Sequence, residues 1–270
     1  MVRRNTRRLH LLVTVASVAV VYAVVSAASV APFRPEYGVA VFLGIGLGPA
    51  AALGAALGQV LHDSVVGSLG TSTVFAVTAA LLTALVGYAV WGKVVASSDT
   101  PPDFRDGKGA QFAEYAVVVL TGTALSASVV GWGAEVLGNA TFSVAAVPVF
   151  VGAVIASAVG PPFLYLLSYV AEKGTKAEHA NGEVMQRQAH VAATGVVLVS
   201  LSWFVGGVGF AVFIEDAPLF AADATGATEG GSTVLVDNGV VSLLFVVALL
   251  FLSVRRLPWA RRSADGDTKN

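Results

Sequence analysis

Apolar runs separated by short polar segments are the main pattern along this chain of 270 residues. An α-helix rises about 1.5 Å per residue, so about 20 apolar residues cross a hydrocarbon core of roughly 30 Å. The pattern therefore predicts an all-α, polytopic transmembrane helical bundle. The runs without Asp, Glu, Lys or Arg reach or approach the length of one crossing, and they cover residues 11–33, 37–61, 64–92, 115–134, 136–171, 191–214 and 238–254.

The run over 37–61 differs from the others because helix-breaking residues divide it. Pro49 follows three alternate glycines, and a proline inside a helix removes a hydrogen bond and clashes with the preceding turn. We expect two short, Gly-rich helices over about 36–47 and 50–67, joined at Gly48-Pro49. A helical hairpin and a re-entrant loop both return the chain to its starting face, and the sequence leaves the two open.

The basic residues are sorted along the chain. All but one of the 16 Lys and Arg residues fall in the segments 3–8, 93–108, 173–187 and 255–269. Basic residues beside membrane spans collect on the cytoplasmic side, so an even number of crossings must separate neighbouring segments. The sequence thus predicts eight helices in the cell membrane and two cytoplasmic termini. Residues 3–31 also fit a cleaved signal peptide, although their apolar part is longer than usual.

The composition supports a membrane protein and excludes several kinds of chemistry. The chain is 56% hydrophobic and 12% charged, with a mean hydropathy of +0.77. Abundant Ala, Val and Gly with few Lys are typical of an archaeal or GC-rich prokaryotic source. Because there is no Cys, disulfides, thiolate metal sites and a Cys nucleophile are excluded. No HExxH, GxSxG or P-loop motif occurs, so we expect no enzyme, no metal, no cofactor and no nucleic-acid partner.

Polar residues at membrane depth are the usual functional markers, and here they cluster at one end of the predicted bundle. By the predicted topology this end faces outward. Gln59 and Asp63 are four residues apart and share one helix face, as do Trp132 and Glu135, which are three apart. A stacking ring together with hydrogen-bonding groups predicts a site for a small ligand. The candidate ligand-binding residues are Gln59, Asp63, Trp132, Glu135, Arg34 and Asn139.

Small residues recur at intervals of four and predict close helix packing. Gly44 and Gly48 form one such pair, and Gly54 and Gly58 form another, for which ordinary packing within the bundle is expected. A row of alanines on the first helix, of which Ala19 and Ala23 are the central members, offers a similar small face. Such a face lets another backbone approach closely in lipid.

Two parts of the sequence resemble the substrate-binding S component of energy-coupling factor (ECF) vitamin transporters. The first is GIGLGPAAALGAALGQVLHD over 44–63, followed by the uncharged helix VFAVTAALLTALVGYAVW over 74–91. The second runs from Glu114 to Leu167 and ends near Gly160-Pro161-Pro162. The similarity covers about residues 9–171, which would form the family's six helices.

The resemblance implies a definite role. Such proteins bind a vitamin or related small molecule in the outer half of the bundle. They pair with a transmembrane coupling protein and two ATPase subunits, because they have no energy source of their own. The first helix often meets the coupling protein through a face of the AxxxA type, and Ala19 and Ala23 fit this pattern.

The C-terminal part departs from the family and suggests a second reading. Residues 172–270 would add a polar cytoplasmic loop, two further helices joined by an acidic outer loop, and a basic tail that can contact membrane lipid. The loop at 93–111 is also longer than an S component needs. We therefore predict two domains, 1–171 and 172–270. The alternative function is a membrane scaffold that recruits a cytoplasmic signalling or cell-division assembly through the 172–190 loop and the tail.

Overall fold

A computed structural model describes residues 2–29, 33–95, 102, 104, 108–172, 183–210, 240 and 242–250. All regular secondary structure in these residues is helical, which confirms the predicted all-α class. A further helical stretch covers 242–250. The longer helices are α1 (Val2–Ala27), α2 (Glu36–Leu47), α3 (Pro49–Val65), α4 (Thr71–Val90), α5 (Lys108–Val136), α6 (Phe142–Ser157), α7 (Gly160–Glu172) and α8 (Glu183–Phe210).

Several of these helices could cross a membrane. In the described residues α1, α4, α5 and α8 are long and apolar enough to do so, and α6 with α7 would make a fifth crossing if the bent pair counts as one. The outer face of α1 is apolar and exposed, as expected of a lipid-facing surface. The protein therefore has the features of a multi-pass membrane protein. The predicted number of eight membrane helices is not confirmed.

The predicted break at Gly48-Pro49 is present. Helix α2 ends at Leu47 and α3 begins at Pro49, and Gly48 between them has a φ of 68°, a conformation that favours glycine. The start of α2 lies near the end of α3, since Tyr37 and Asp63 lie within electrostatic range of each other. The two short helices are therefore antiparallel, which a helical hairpin and a re-entrant loop both require.

Glycines set the distances between the helices. A side chain at Gly44 would collide with the backbone of Ala84, so α2 and α4 are in backbone contact. On the other side of the hairpin, a methyl group at Gly58 would lie 2.6 Å from the carbonyl oxygen of Ala19. Both predicted Gly pairs thus pack inside the chain: the first lies against α4 and the second lies against α1.

The run over 136–171 was predicted as one stretch, but the structure divides it. Helices α6 and α7 meet at Ala158-Val159 with a bend of 41°. The Tyr115 hydroxyl donates to the Ser157 carbonyl at 2.5 Å, which links the start of α5 to the end of α6. Helix α7 then packs along α2, where the Phe42 and Phe163 rings lie 5.1 Å apart.

The helices alternate in direction, which gives the bundle two ends. Helices α1, α3 and α5 end, and α2, α4 and α6 begin, at what we call the Asp63 end. The opposite end, where α3 begins, is the Pro49 end. Positions 3–8, 93, 108 and 187 all lie at the Pro49 end, so the described basic positions of the first three segments share one end, and the fourth segment, 255–269, lies outside the described residues.

Part of the connection after α4 is held against α5. The buried Glu114 carboxylate accepts the backbone N–H groups of Lys93 and Val94 at 3.1 Å each, and it also accepts that of Val95. Nearby, the Gln111 side chain accepts the N–H of Phe104 at 2.6 Å. These bonds fold the connection back over the Pro49 end.

The described part of the C-terminal region packs on the rest of the bundle. Helix α8 lies against α5 and α6, and the Trp132 and Trp203 rings are 6.3 Å apart. The predicted division at residue 171 stays a prediction. Most of the 172–190 loop, the acidic outer loop and the basic tail lie outside the described residues, and so do the docking segments of the scaffold alternative.

Candidate functional site

A group of buried polar side chains lies between α1, α2 and α3 at the Asp63 end. The helix hairpin positions it, because Gly48-Pro49 returns the end of α3 to the start of α2. Helices α1 and α3 run parallel in contact, so their polar faces meet at the same level. We call this group the polar cluster, and its members are Tyr22, Ser26, Ser29, Arg34, Glu36, Tyr37, Gln59, His62 and Asp63.

The first charged pair in the polar cluster joins the α1–α2 connection to α2. Arg34 Nη1 donates to Glu36 Oε1 at 3.2 Å, and Ser29 Oγ donates to Glu36 Oε2 at 2.6 Å. Glu36 is fully buried, whereas the Arg34 side chain is 35% exposed. Burial has the largest effect on the pKa of Arg34 and lowers it, but Tyr37 and Glu36 together raise it above its ordinary value. The Glu36 charge is therefore compensated.

The second charged group is on α3. Gln59 Nε2 donates to Asp63 Oδ1 at 2.8 Å, one helical turn away. His62 Nδ1 lies 3.1 Å from the same oxygen. Gln59 is fully buried and Asp63 nearly so. The structure thus brings two of the predicted ligand-binding residues into direct contact, and it places Arg34 in the same cluster.

Two tyrosines lie near both of these groups. Tyr22 and Tyr37 are fully buried, and each lies within electrostatic range of Arg34, Glu36 and Asp63. Four buried atoms of the polar cluster have no hydrogen-bond partner among the described residues: Tyr22 OH, Ser26 Oγ, Tyr37 OH and Gln59 Oε1. Each such group costs about 1–3 kcal/mol if it stays unpaired, so this concentration of unpaired atoms is unusual.

The polar cluster is closed toward the Pro49 end. A methyl group at Gly58 would lie 2.8 Å from Tyr22 Cβ, and one at Gly54 would lie 2.6 Å from Val18 Cβ. Helices α1 and α3 are therefore in contact immediately below Gln59.

The structure places Trp132 in an aromatic group. Its ring lies 5.4 Å from that of Phe75 on α4, edge to face, and contacts Trp203 on α8. No ring contact or hydrogen bond of Trp132 with Gln59 or Asp63 is present in the described part of the chain. The prediction that Trp132, Glu135, Gln59 and Asp63 line one site stays untested.

Asn139 lies in the turn that ends α5. Its backbone N–H donates to the Ala134 carbonyl at 2.8 Å, and Gly138, with a φ of 68°, donates to the Glu135 carbonyl at 2.9 Å. This is the Schellman arrangement that commonly terminates helices. The backbone of Asn139 thus has a structural role, and its side chain is exposed.

The alanine face of α1 points partly into the chain. Ala19 is 9% exposed, and its backbone lies over Gly58 of α3. Ala23, one turn further, is half-buried, while Val20 and Val24 are exposed. A contact of Ala19 and Ala23 with a coupling protein stays a prediction, and within this chain the partner of Ala19 is α3.

Sequence reasoning missed part of the polar cluster. Tyr22 and Ser26 were hidden in an apolar helix, although they are four residues apart and repeat the spacing of Gln59 and Asp63. Two polar residues four apart share a helix face, and this spacing was the sequence signal that could have identified Tyr22 and Ser26 as site residues.

The described residues contain no group of three or more His, Asp or Glu side chains that could hold a metal ion. No protein-family model matches this chain, and no curated protein or solved structure matches it either.

Proposed function

We propose that this protein is a membrane-embedded binding protein for a small polar molecule, and that the polar cluster is its ligand site. The unpaired atoms of Tyr22, Ser26, Tyr37 and Gln59 carry the proposal. Buried polar groups are normally hydrogen-bonded, and unpaired ones are found where a ligand or ordered water completes them. Residues at membrane depth with this chemistry are functional sites by default.

The more specific proposal is the substrate-binding component of an ECF-type uptake transporter. It rests on the sequence resemblance over about 9–171, and two features are compatible with it. The polar cluster lies at the end opposite the basic positions, which would be the outer half if the basic end is cytoplasmic. The α1–α3 contact at Gly58 lies on the Pro49 side of Gln59. The proposal assigns no reaction to the protein and places both termini in the cytoplasm.

The proposal requires partners. A binding component without an ATPase depends on a membrane coupling protein and ATPase subunits for transport. The exposed face of α1 beside Ala23, which includes Val20 and Val24, is the surface that we propose for the coupling protein. Ala19 would hold α1 against α3 on the opposite side of the helix from this surface.

The test is purification of the protein from its own host in lipid nanodiscs, followed by mass spectrometry of retained small molecules and copurified proteins. We expect one retained molecule in the wild type, and we expect Gln59→Leu to lose it. The matched control is Ser64→Ala, five positions along the same helix, because Ser64 is exposed. Equal retention by Gln59→Leu and the wild type, or no retained molecule at all, contradicts binding in the polar cluster. Retention without coupling protein or ATPases contradicts only the ECF role.

A further inference from the structure

The orientation of the Gln59 amide is fixed by its partner. The Asp63 carboxylate can only accept hydrogen bonds, so the amide must direct its NH₂ group toward Asp63 Oδ1, 2.8 Å away. The other end of the amide, Oε1, is then a pure acceptor, and it is buried without a partner among the described residues. A ligand that meets Gln59 must therefore donate a hydrogen bond.

The formal charges in the polar cluster cancel only if His62 is protonated. Arg34 and Glu36 form one ion pair and neutralise each other. Within the described residues Asp63 has an ion-pair contact only with His62, which is charged only when protonated. With His62 neutral, the sum of one positive and two negative charges leaves −1 at Asp63. A buried carboxylate is costly unless a positive charge or several donors compensate it.

The shape of the site limits the size and kind of the compensating cation. Helices α1 and α3 are in contact at Gly58, next to Gln59, and the unpaired atoms are buried, so a ligand that reaches them must be small. The hydroxyls of Tyr22 and Tyr37 can accept or donate, which suits a ligand with several N–H groups. A zinc-like ion is a poor fit, because the described residues offer no group of three His, Asp or Glu ligands.

We infer that the ligand is a small organic cation with N–H donors, whose positive charge meets Asp63 and whose N–H groups meet Gln59 Oε1. The inference rests on the proposed function and names the substrate class of the same site. It follows from three observations: the fixed acceptor at Gln59, a carboxylate whose ion-pair contact in the described residues is His62 alone, and the burial of the unpaired atoms.

The experiment uses three probes of equal size that differ in charge: benzylammonium, benzyl alcohol and benzoate. Dissociation constants are measured by calorimetry on nanodisc-embedded protein from which any retained molecule has been exchanged. We expect benzylammonium to bind at least about 10-fold more tightly than either other probe, because a charge-assisted hydrogen bond is stronger than a neutral one. Asp63→Asn should weaken benzylammonium by roughly 10- to 100-fold and leave benzyl alcohol little changed. Ser64→Ala should alter neither affinity.

Three results would overturn the inference: preference for benzoate or benzyl alcohol, equal affinity for all three probes, or binding of none. Unchanged benzylammonium affinity in Asp63→Asn would overturn it as well. Failure of this inference can be distinguished from failure of the proposed binding function. A wild type that retains a neutral or anionic host molecule, lost in Gln59→Leu, refutes the cation but keeps the binding role.

Discussion

Replacing Gly58 by Ala should separate α1 from α3 and destabilise the protein. The added methyl group would lie 2.6 Å from the Ala19 carbonyl oxygen, whereas ordinary contact begins at 3.4 Å. Helix α1 must therefore move by about 0.8 Å. The Ala19 carbonyl oxygen belongs to the backbone, so it cannot rotate away from the methyl group as a side chain could. Overpacking of this kind costs about 1–3 kcal/mol.

The matched control is Gly206→Ala, because Gly206 lies inside α8 and a methyl group there meets nothing within 4 Å. Both substitutions change helix propensity alike, so this contribution of about 1 kcal/mol cancels in the comparison. Unfolding is followed by far-UV circular dichroism during titration with SDS in mixed micelles. We expect the free energy of unfolding to be about 1–3 kcal/mol lower for Gly58→Ala than for Gly206→Ala. Equal stability of the two variants would refute the close α1–α3 contact.

Three further predictions test the topology and packing. In this Cys-free chain, an impermeant maleimide should label the exposed Leu69→Cys in intact cells but label Val95→Cys only after permeabilisation. The reverse pattern would place the Pro49 end outside. Ala19→Leu should lower thermal stability more than Ala16→Leu, because Ala19 is buried on α3 and Ala16 is exposed; equal losses would mean that α1 packs differently. Glu114→Ala should speed hydrogen exchange at the three backbone N–H groups that its carboxylate accepts, and unchanged exchange would contradict this tether.

Local chemistry was enough to predict several features of the fold. Pro49 after alternate glycines breaks a helix wherever it occurs, so the division between α2 and α3 was readable from the sequence. The shared end of the described basic positions 3–8, 93, 108 and 187 was also readable from the spacing of the basic segments. The bend between α6 and α7 was missed because the uncharged run was taken as one stretch, although Gly160-Pro161-Pro162 begins α7 as Pro49 begins α3.

Two members of the polar cluster could be predicted for a related reason. Gln59 and Asp63 were found because their spacing places them on one face of a single helix. Their neighbours Tyr22 and Tyr37 come from two other helices, and only the fold brings the three together. Whether the Ala19 face contacts another helix of this chain or a partner protein likewise depends on the fold, which places α3 against it. A repeat of small residues indicates close contact and does not say whether the partner belongs to the same chain.

A crystal structure of the protein with the molecule retained from its host would test the central claim most directly. The account predicts that this molecule lies between α1, α2 and α3, within hydrogen-bond distance of Gln59 Oε1 and beside Asp63, Tyr22 and Tyr37. A molecule seated instead between Trp132 and Trp203, with the polar cluster closed by its own hydrogen bonds, would contradict the account.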